Sequence, residues 1–218
     1  MTRTETFRRF AIFTTGVLVC AVGIAFITRA GLGTSPISSI PFVLSLITPV
    51  SMGAYTLTFN LFFLLCESLL IGRFGVAQAL QVPVTVLFSL CVDGALSLIP
   101  SQYGGPWMAS AVYLVVGCVV MSLGIYLEVL ADIIMLPGEA FVRALSQRIG
   151  KEFGNVKVCF DSSLTAIAAV IAWWAFKRLN GVGIGTVISA LAVGQLVKGW
   201  GLLHRRVQEI NYSNHQKY

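Results

Sequence analysis

The sequence predicts an all-α polytopic membrane protein, and three observations carry that prediction. Of its 218 residues, 56% are hydrophobic and only 11% are charged, with a mean hydropathy of +0.84. Soluble domains carry roughly 25% charged residues, so this chain cannot cover a surface in water. Six apolar stretches reach the length of about 20 residues that a bilayer span needs. The chain also repeats itself, without a gap, at an offset of 101 positions.

Taken in order, the first span is Phe10–Ile27. Arg8-Arg9 ahead of it and Thr28-Arg29-Ala30 behind it resemble a signal peptide. The run is long for that purpose, Cys20 follows Val19 where a lipoprotein signal needs a small residue, and the segment has a mid-chain counterpart. It therefore reads as a retained helix. Ile37–Ile47 is too short to cross and follows Pro36, which suits a first helical turn, where no N–H is missed. Ala54–Ile71 and Ala77–Ile99 complete a first unit, about residues 10–99. Trp107–Leu127 opens the second unit, about 107–203. Gly138–Ile149, behind Pro137, is again short and carries Glu139, Arg143 and Arg148. Val158–Phe176 and Gly183–Leu203 close the unit. Short apolar helices of this kind read as re-entrant or interfacial. Residues 1–203 thus form one transmembrane domain, and 204–218 read as a cytoplasmic tail.

The repeat sets the topology. Gly16 aligns with Gly117, Gly23-Ile24 with Gly124-Ile125, Pro36 with Pro137, Leu44-Ser45 with Leu145-Ser146, Phe59 with Phe160 and Thr85-Val86 with Thr186-Val187. Two prolines opening two short helices at one constant offset are the persuasive part. With three spans per unit, the second unit is inverted relative to the first. Basic residues test this: with the N-terminus cytoplasmic, only Arg29, Lys177 and Arg178 of the 15 Lys and Arg lie outside. Lys217 counts among the inside residues. If both short helices crossed, Arg143 and Arg148 would lie in lipid, and that weaker arrangement has parallel repeats. The expected location is the bacterial cytoplasmic (inner) membrane, multi-pass, with both termini cytoplasmic.

Composition also excludes functions. The net charge of +6 is spread over the ends of apolar stretches, not gathered on one element, so nucleic acid is not a partner. The two histidines, His204 and His215, both lie near the C-terminus. No His-built metal site and no Ser/His or Cys/His pair can sit inside the apolar body, and an enzyme is not expected. The five cysteines (Cys20, Cys66, Cys91, Cys118, Cys159) have no ligand spacing and read as small core residues. No cofactor or metal is expected. The bilayer is the one certain partner, and homo-oligomerisation is left open.

Inverted repeats with broken helices place a binding site near the midplane, where short helices' N-termini meet. In the first unit that position is Gly33, Thr34, Ser35, Pro36 and Ser38; in the second it is Pro137, Gly138 and Glu139. Free N–H groups and hydroxyls there can hold a polar ligand, although Thr34 or Ser35 can equally be plain caps and Glu139 a dipole-matched residue. Acids in apolar segments are functional candidates. Asp161 aligns with Asn60 at the repeat offset, each on the helix after a short helix. Asp161, Asp132, Glu128 and Asp93 are candidates for ion or proton coupling; Glu67 reads either as one more or as an interfacial partner of Arg73. Arg29 reads as a partner of a carboxylate or anion, or as an interfacial anchor. Gly16, Gly23, Gly183, Gly185, Gly194 and Gly199 read as close-packing positions.

Gly31-Leu32-Gly33-Thr34-Ser35-Pro36, Leu136-Pro137-Gly138-Glu139 and Val182-Gly183-Ile184-Gly185-Thr186 with Gly194 resemble, in order and spacing from about residue 10 to 203, the YczE/YyaS/YitT group of bacterial integral membrane proteins. Members of that group often carry an acid two positions after each short-helix proline; here those positions hold Ser38 and Glu139. The resemblance implies a multi-pass plasma-membrane protein with a transport-related activity, and it supplies no substrate. The reading that follows is a secondary transporter or exporter of a small polar or anionic solute, alternating access around a midplane site. A non-transporting scaffold or accessory protein is the alternative.

Overall fold

The computed structural model describes residues 3–102 and 104–215. Eight α-helices follow one another: α1 (Arg3–Arg29), α2 (Ser39–Ile47), α3 (Met52–Ile71), α4 (Val76–Leu98), α5 (Trp107–Ala131), α6 (Pro137–Ile149), α7 (Phe153–Phe176) and α8 (Ile184–His215). No strand occurs among the described residues. In α1, α3, α4, α5, α7 and the Ile184–Arg206 part of α8, length and apolarity suffice for a membrane crossing. The chain is an all-α polytopic membrane protein. Helices dominate because a segment in hydrocarbon must satisfy its backbone N–H and C=O groups internally.

Local signals set the boundaries. Pro36 opens a 3-10 turn (Pro36–Ser38) that leads into α2, and Pro137 occupies the first turn of α6. The Ser51 hydroxyl caps α3 by accepting from Ala54 N–H. Gly72 and Gly150 end α3 and α6 in the left-handed region, at φ 74° and 66°, where a missing Cβ removes the steric penalty. α8 does not stop at Leu203 but continues through His215, so most of the expected tail is helix. Lys217 lies outside the described residues.

α1 and α5 form the central pair. A Cβ built on Gly16 meets Glu128, on Gly124 meets Cys20, on Gly23 meets Met121, and on Gly117 meets Ile27. As the position rises along α1 it falls equally along α5, so the two helices are antiparallel. Their backbones nearly touch: the Gly23 Cβ position is 2.3 Å from Met121 N and that of Gly124 is 2.4 Å from Cys20 N. Small residues permit this approach, and dispersion then stabilises the pair. The expected packing role of Gly16 and Gly23 holds, as does that of Gly183 and Gly185, whose Cβ positions meet the Leu32 carbonyl at 2.6 and 2.8 Å. It fails for Gly194 and Gly199, which face open space.

α4 packs on α1, and α8 on α5. The core between them holds Phe13, Val17, Ile24, Val84, Phe88, Val92, Leu114 and Met121. α2 lies against α3 and α7, and α6 likewise against α7 and α3. Each short helix therefore bridges both halves of the chain. Where α3, α6 and α7 meet, Phe63 stacks on Phe141 and Phe160 packs edge-on or tilted against both.

Candidate functional site

The N-termini of the two short helices meet in the middle of the bundle. A Cβ on Gly138 would lie 2.4 Å from Ile37 Cδ1, so the start of α6 abuts the turn before α2. Beside this junction is a small cavity of about 40 Å³, more enclosed than the clefts on either side of it. Its apolar walls are Cys20 and Ile24 of α1, Phe63 of α3, Phe88 of α4 and Met121 of α5; its polar lining is Ser38, Thr56, Asn60, Glu128 and Glu139. A buried water needs roughly 10–15 Å³ of such space, so the cavity has room for one ion or about three to four waters.

The polar lining presents acceptors. Thr56 commits its hydroxyl hydrogen to the Met52 carbonyl at 2.8 Å. Asn60 commits an amide hydrogen to the Thr56 carbonyl at 3.0 Å, leaving Oδ1 as an acceptor. Ser38 Oγ accepts from Ser35 Oγ at 3.0 Å. Glu128 is 6% exposed, and its Oε1 is buried without a hydrogen-bond partner. Lys157 and Asp161 are charges that act on Glu139, but they bind each other at 2.9 Å.

Two open clefts flank this cavity at opposite ends of α1. At the end where α1 starts, a cleft of about 410 Å³ is lined by Glu67, Gln81, Glu128, Asp132, Arg143 and Gln147 among others. Where α1 finishes, a cleft of about 610 Å³ is lined by Thr28, Arg29, Phe42, Ser45, Leu46, Thr48 and Asn180 among others. Glu128 lines both the first cleft and the small cavity.

The structure sorts the sequence candidates. Ser38, Asn60, Glu128 and Glu139 converge on the cavity, and Pro36, Pro137 and Gly138 frame it. Gly33 and Thr34 instead hold the first loop onto α8: Gly33 sits at φ 119° against Thr186, and Thr34 N–H donates to Thr186 Oγ1 at 3.2 Å. Thr34 Oγ1 also pairs with Thr28 Oγ1 at 2.7 Å. Ser35 stands at the cap position of the turn but makes no side-chain cap bond, so the simple capping alternative is not what it does. Asp93 accepts from Ser51 Oγ and Gly53 N–H, both at 2.6 Å, and thus ties α4 to the start of α3. Asp132 ends α5 at φ 49°, exposed in the first cleft. Asp161 is not among the residues lining the small cavity; its carboxylate takes Lys157 four residues earlier.

Two further readings change. Glu67 does not pair with Arg73, which is exposed; its Oε1 accepts from Gln78 Nε2 at 2.9 Å while Oε2 has no partner. Among the described residues Arg29 binds no carboxylate: its guanidinium donates from Nε, at 3.0 Å, and from Nη2 to the Leu96 carbonyl near the end of α4. Sequence reasoning missed Gln78 and Gln81, both buried. Their spacing three apart on one face of a spanning helix was the available signal, because unpaired amides in hydrocarbon are costly.

A family model described as a family of unknown function (DUF6198) matches residues 7–201. No curated protein and no solved structure matches the chain.

Proposed function

We propose that this chain, which belongs to the DUF6198 family of unknown function, is a secondary transporter or exporter that gives a small polar solute alternating access to a midplane site. The observation that carries this reading is the pair of clefts on either side of one small cavity. They occupy equivalent places in the two units: Thr28, Phe42 and Leu46 of one align at the repeat offset with Val129, Arg143 and Gln147 of the other. Two equivalent entrances, facing opposite ends and separated by a plug of broken helices, are what exchange between two access states requires.

Inverted repeats are part of the same proposal, and the central helix pair supports them. Shifting both members of the Gly16–Glu128 contact by the offset yields Gly117 and Ile27, and shifting Gly23–Met121 yields Gly124 and Cys20. All four contacts exist, as a two-fold axis lying in the membrane plane between α1 and α5 demands. The distribution of positive charge supports a start of α1 on the cytoplasmic side of a bacterial inner membrane; in that orientation the acidic cleft opens inward and the cleft with Arg29 opens outward. The resemblance to the YczE/YyaS/YitT group agrees with a transport-related role. Glu128 and Glu139 in the cavity lining favour a neutral or cationic centre over an anionic solute.

Flux in proteoliposomes tests the reading, with Asn60→Leu as the variant that replaces a polar wall of the cavity. Solute flux driven by an imposed ion gradient, lost in Asn60→Leu, is the expected result. No flux under any gradient, together with full rescue of a deletion phenotype by Asn60→Leu, overturns it in favour of a scaffold.

A further inference from the structure

We infer that the small cavity is a binding site for one small monovalent metal cation, of sodium's size, held between Glu128 and Glu139. The inference rests on the reading of that cavity as the transport site and names the ion coupled to it.

Three observations lead there. First, the lining carries more oxygens than donors. Thr56 commits its hydroxyl hydrogen to a backbone carbonyl and Asn60 one of its two amide hydrogens, while Ser38, which accepts from Ser35, keeps its own hydroxyl hydrogen. The hydroxyl, amide and carboxylate oxygens are ligands that hard cations take, and two carboxylates repel an anion. Second, Glu128 is 94% withdrawn from solvent, being 6% exposed, and keeps an oxygen with no partner. A buried acceptor left unmade is costly, and an acid in such a place either holds a proton or pairs with a cation; with two carboxyl groups on the cavity, one proton and one monovalent cation balance the charge. Third, no side chain supplies that cation. Among the described residues, the ion pairs join Glu5 to Arg8 and Arg9, and Lys157 to Asp161. Arg143, across the open cleft, donates to Met135 Sδ. A volume of about 40 Å³ admits an ion with one or two waters.

Glu128 also stands in the wall shared with the acidic cleft. An ion arriving there from Glu67 and Asp132 passes to the cavity across a single side chain, so Glu128 is both ligand and partition.

The test is equilibrium binding of radioactive sodium to the purified full chain in nanodiscs. The expected result is saturable binding at about one ion per chain, competed by lithium and not by choline. Removing one charged ligand costs roughly tenfold or more in affinity, so Glu128→Gln and, independently, Glu139→Gln should each weaken binding by that factor while Glu5→Gln does not. Using both variants protects against one failing to fold. Absence of saturable sodium binding, or binding untouched by both glutamate variants, overturns the inference. So does a site that responds to pH alone, because then a proton occupies it. Sodium binding without solute flux keeps the inference and removes the transport reading; flux indifferent to sodium does the reverse.

Discussion

Adding one methyl group at Gly23 should loosen the centre of the bundle more than any other single methyl in α1. The new Cβ would lie 2.3 Å from Met121 N, 2.5 Å from Met121 Cα and 2.6 Å from Met121 Cβ. Two of those atoms are backbone and cannot rotate away. Ordinary carbon contacts begin near 3.5 Å, so α1 and α5 must part by roughly 1 Å along their seam. That displacement weakens contacts of Val17, Ile24, Leu114 and Cys118 on both sides of it. Overpacking of this type costs about 1–3 kcal/mol, and immobile backbone puts Gly23→Ala at the upper end. The substitution regains up to about 1 kcal/mol of helix propensity, leaving a net loss of about 2 kcal/mol. Gly194→Ala, in open space on α8, receives only the propensity gain. The two variants should therefore differ by about 3 kcal/mol, or roughly 6–12 °C in unfolding midpoint for a chain of this size. Thermal unfolding of the purified variants in one detergent measures this. The equivalent Gly124→Ala should match Gly23→Ala, and the double variant should cost less than the sum, because one separation relieves both clashes. If Gly23→Ala were as stable as Gly194→Ala, the antiparallel seam would be wrong, and the two-fold argument would fall with it.

Other residues give separate tests. Asp93→Ala removes the acceptor for Ser51 Oγ and Gly53 N–H; a loss of about 1–2 kcal/mol in stability is expected, as for a helix cap, with sodium binding unchanged, and lost binding with intact stability would contradict the capping role. Gln78→Leu leaves both Glu67 oxygens without a hydrogen bond, which should destabilise by about 1–3 kcal/mol, and Glu67→Leu in the same chain should recover part of it; chemical unfolding of the three variants decides. Asp161→Asn breaks only an i, i+4 pair with Lys157, so stability should move by about 0.5 kcal/mol or less, and a large loss of flux with normal folding would return Asp161 to the transport path. In a cysteine-free background, Ser45→Cys and Gln147→Cys should react with an impermeant thiol reagent from opposite faces; labelling from one face would exclude inverted units.

Much of the architecture was legible because it is written locally. Hydropathy marks each span, Pro36 and Pro137 mark the short helices, and the constant offset marks the two units. The junction of the short helices was legible too, as the place where inverted units would bring the two helix starts together. Which acid faces the cavity was not. Glu128, Asp132 and Asp93 look alike along the chain, and only the register of α1 against α5 puts Glu128 opposite Gly16 while Asp132 falls past the helix end. Asp93 is decided by a contact to α3 forty positions earlier in sequence. Of the two readings open to Glu67, the pair with Arg73 fails because Arg73, close in sequence, lies beyond a left-handed Gly72 that turns the chain away, bringing Gln78 of α4 to the carboxylate instead.

The departures from two-fold equivalence are as informative as the matches. Pro83, inside α4, aligns with Ile184, the first residue of α8. The residues before them differ: Val76–Val82 are helical, whereas 177–183 are bends and irregular loop. A proline is well tolerated in a first turn and disruptive within a helix, so Pro83 marks where α4 would begin if the first unit matched the second. The threonines beyond it show the consequence. Thr186 Oγ1 accepts from Thr34 N–H, and from Gly183 N–H at 3.4 Å. Its equivalent, Thr85, is buried with an unpartnered hydroxyl, because the helical residues before it release no N–H to reach it. One unit thus makes a set of bonds that the other has the residues to make but does not. If the units exchange conformations as the cleft on one side closes and the other opens, breaking α4 at Pro83 is the step that would satisfy Thr85.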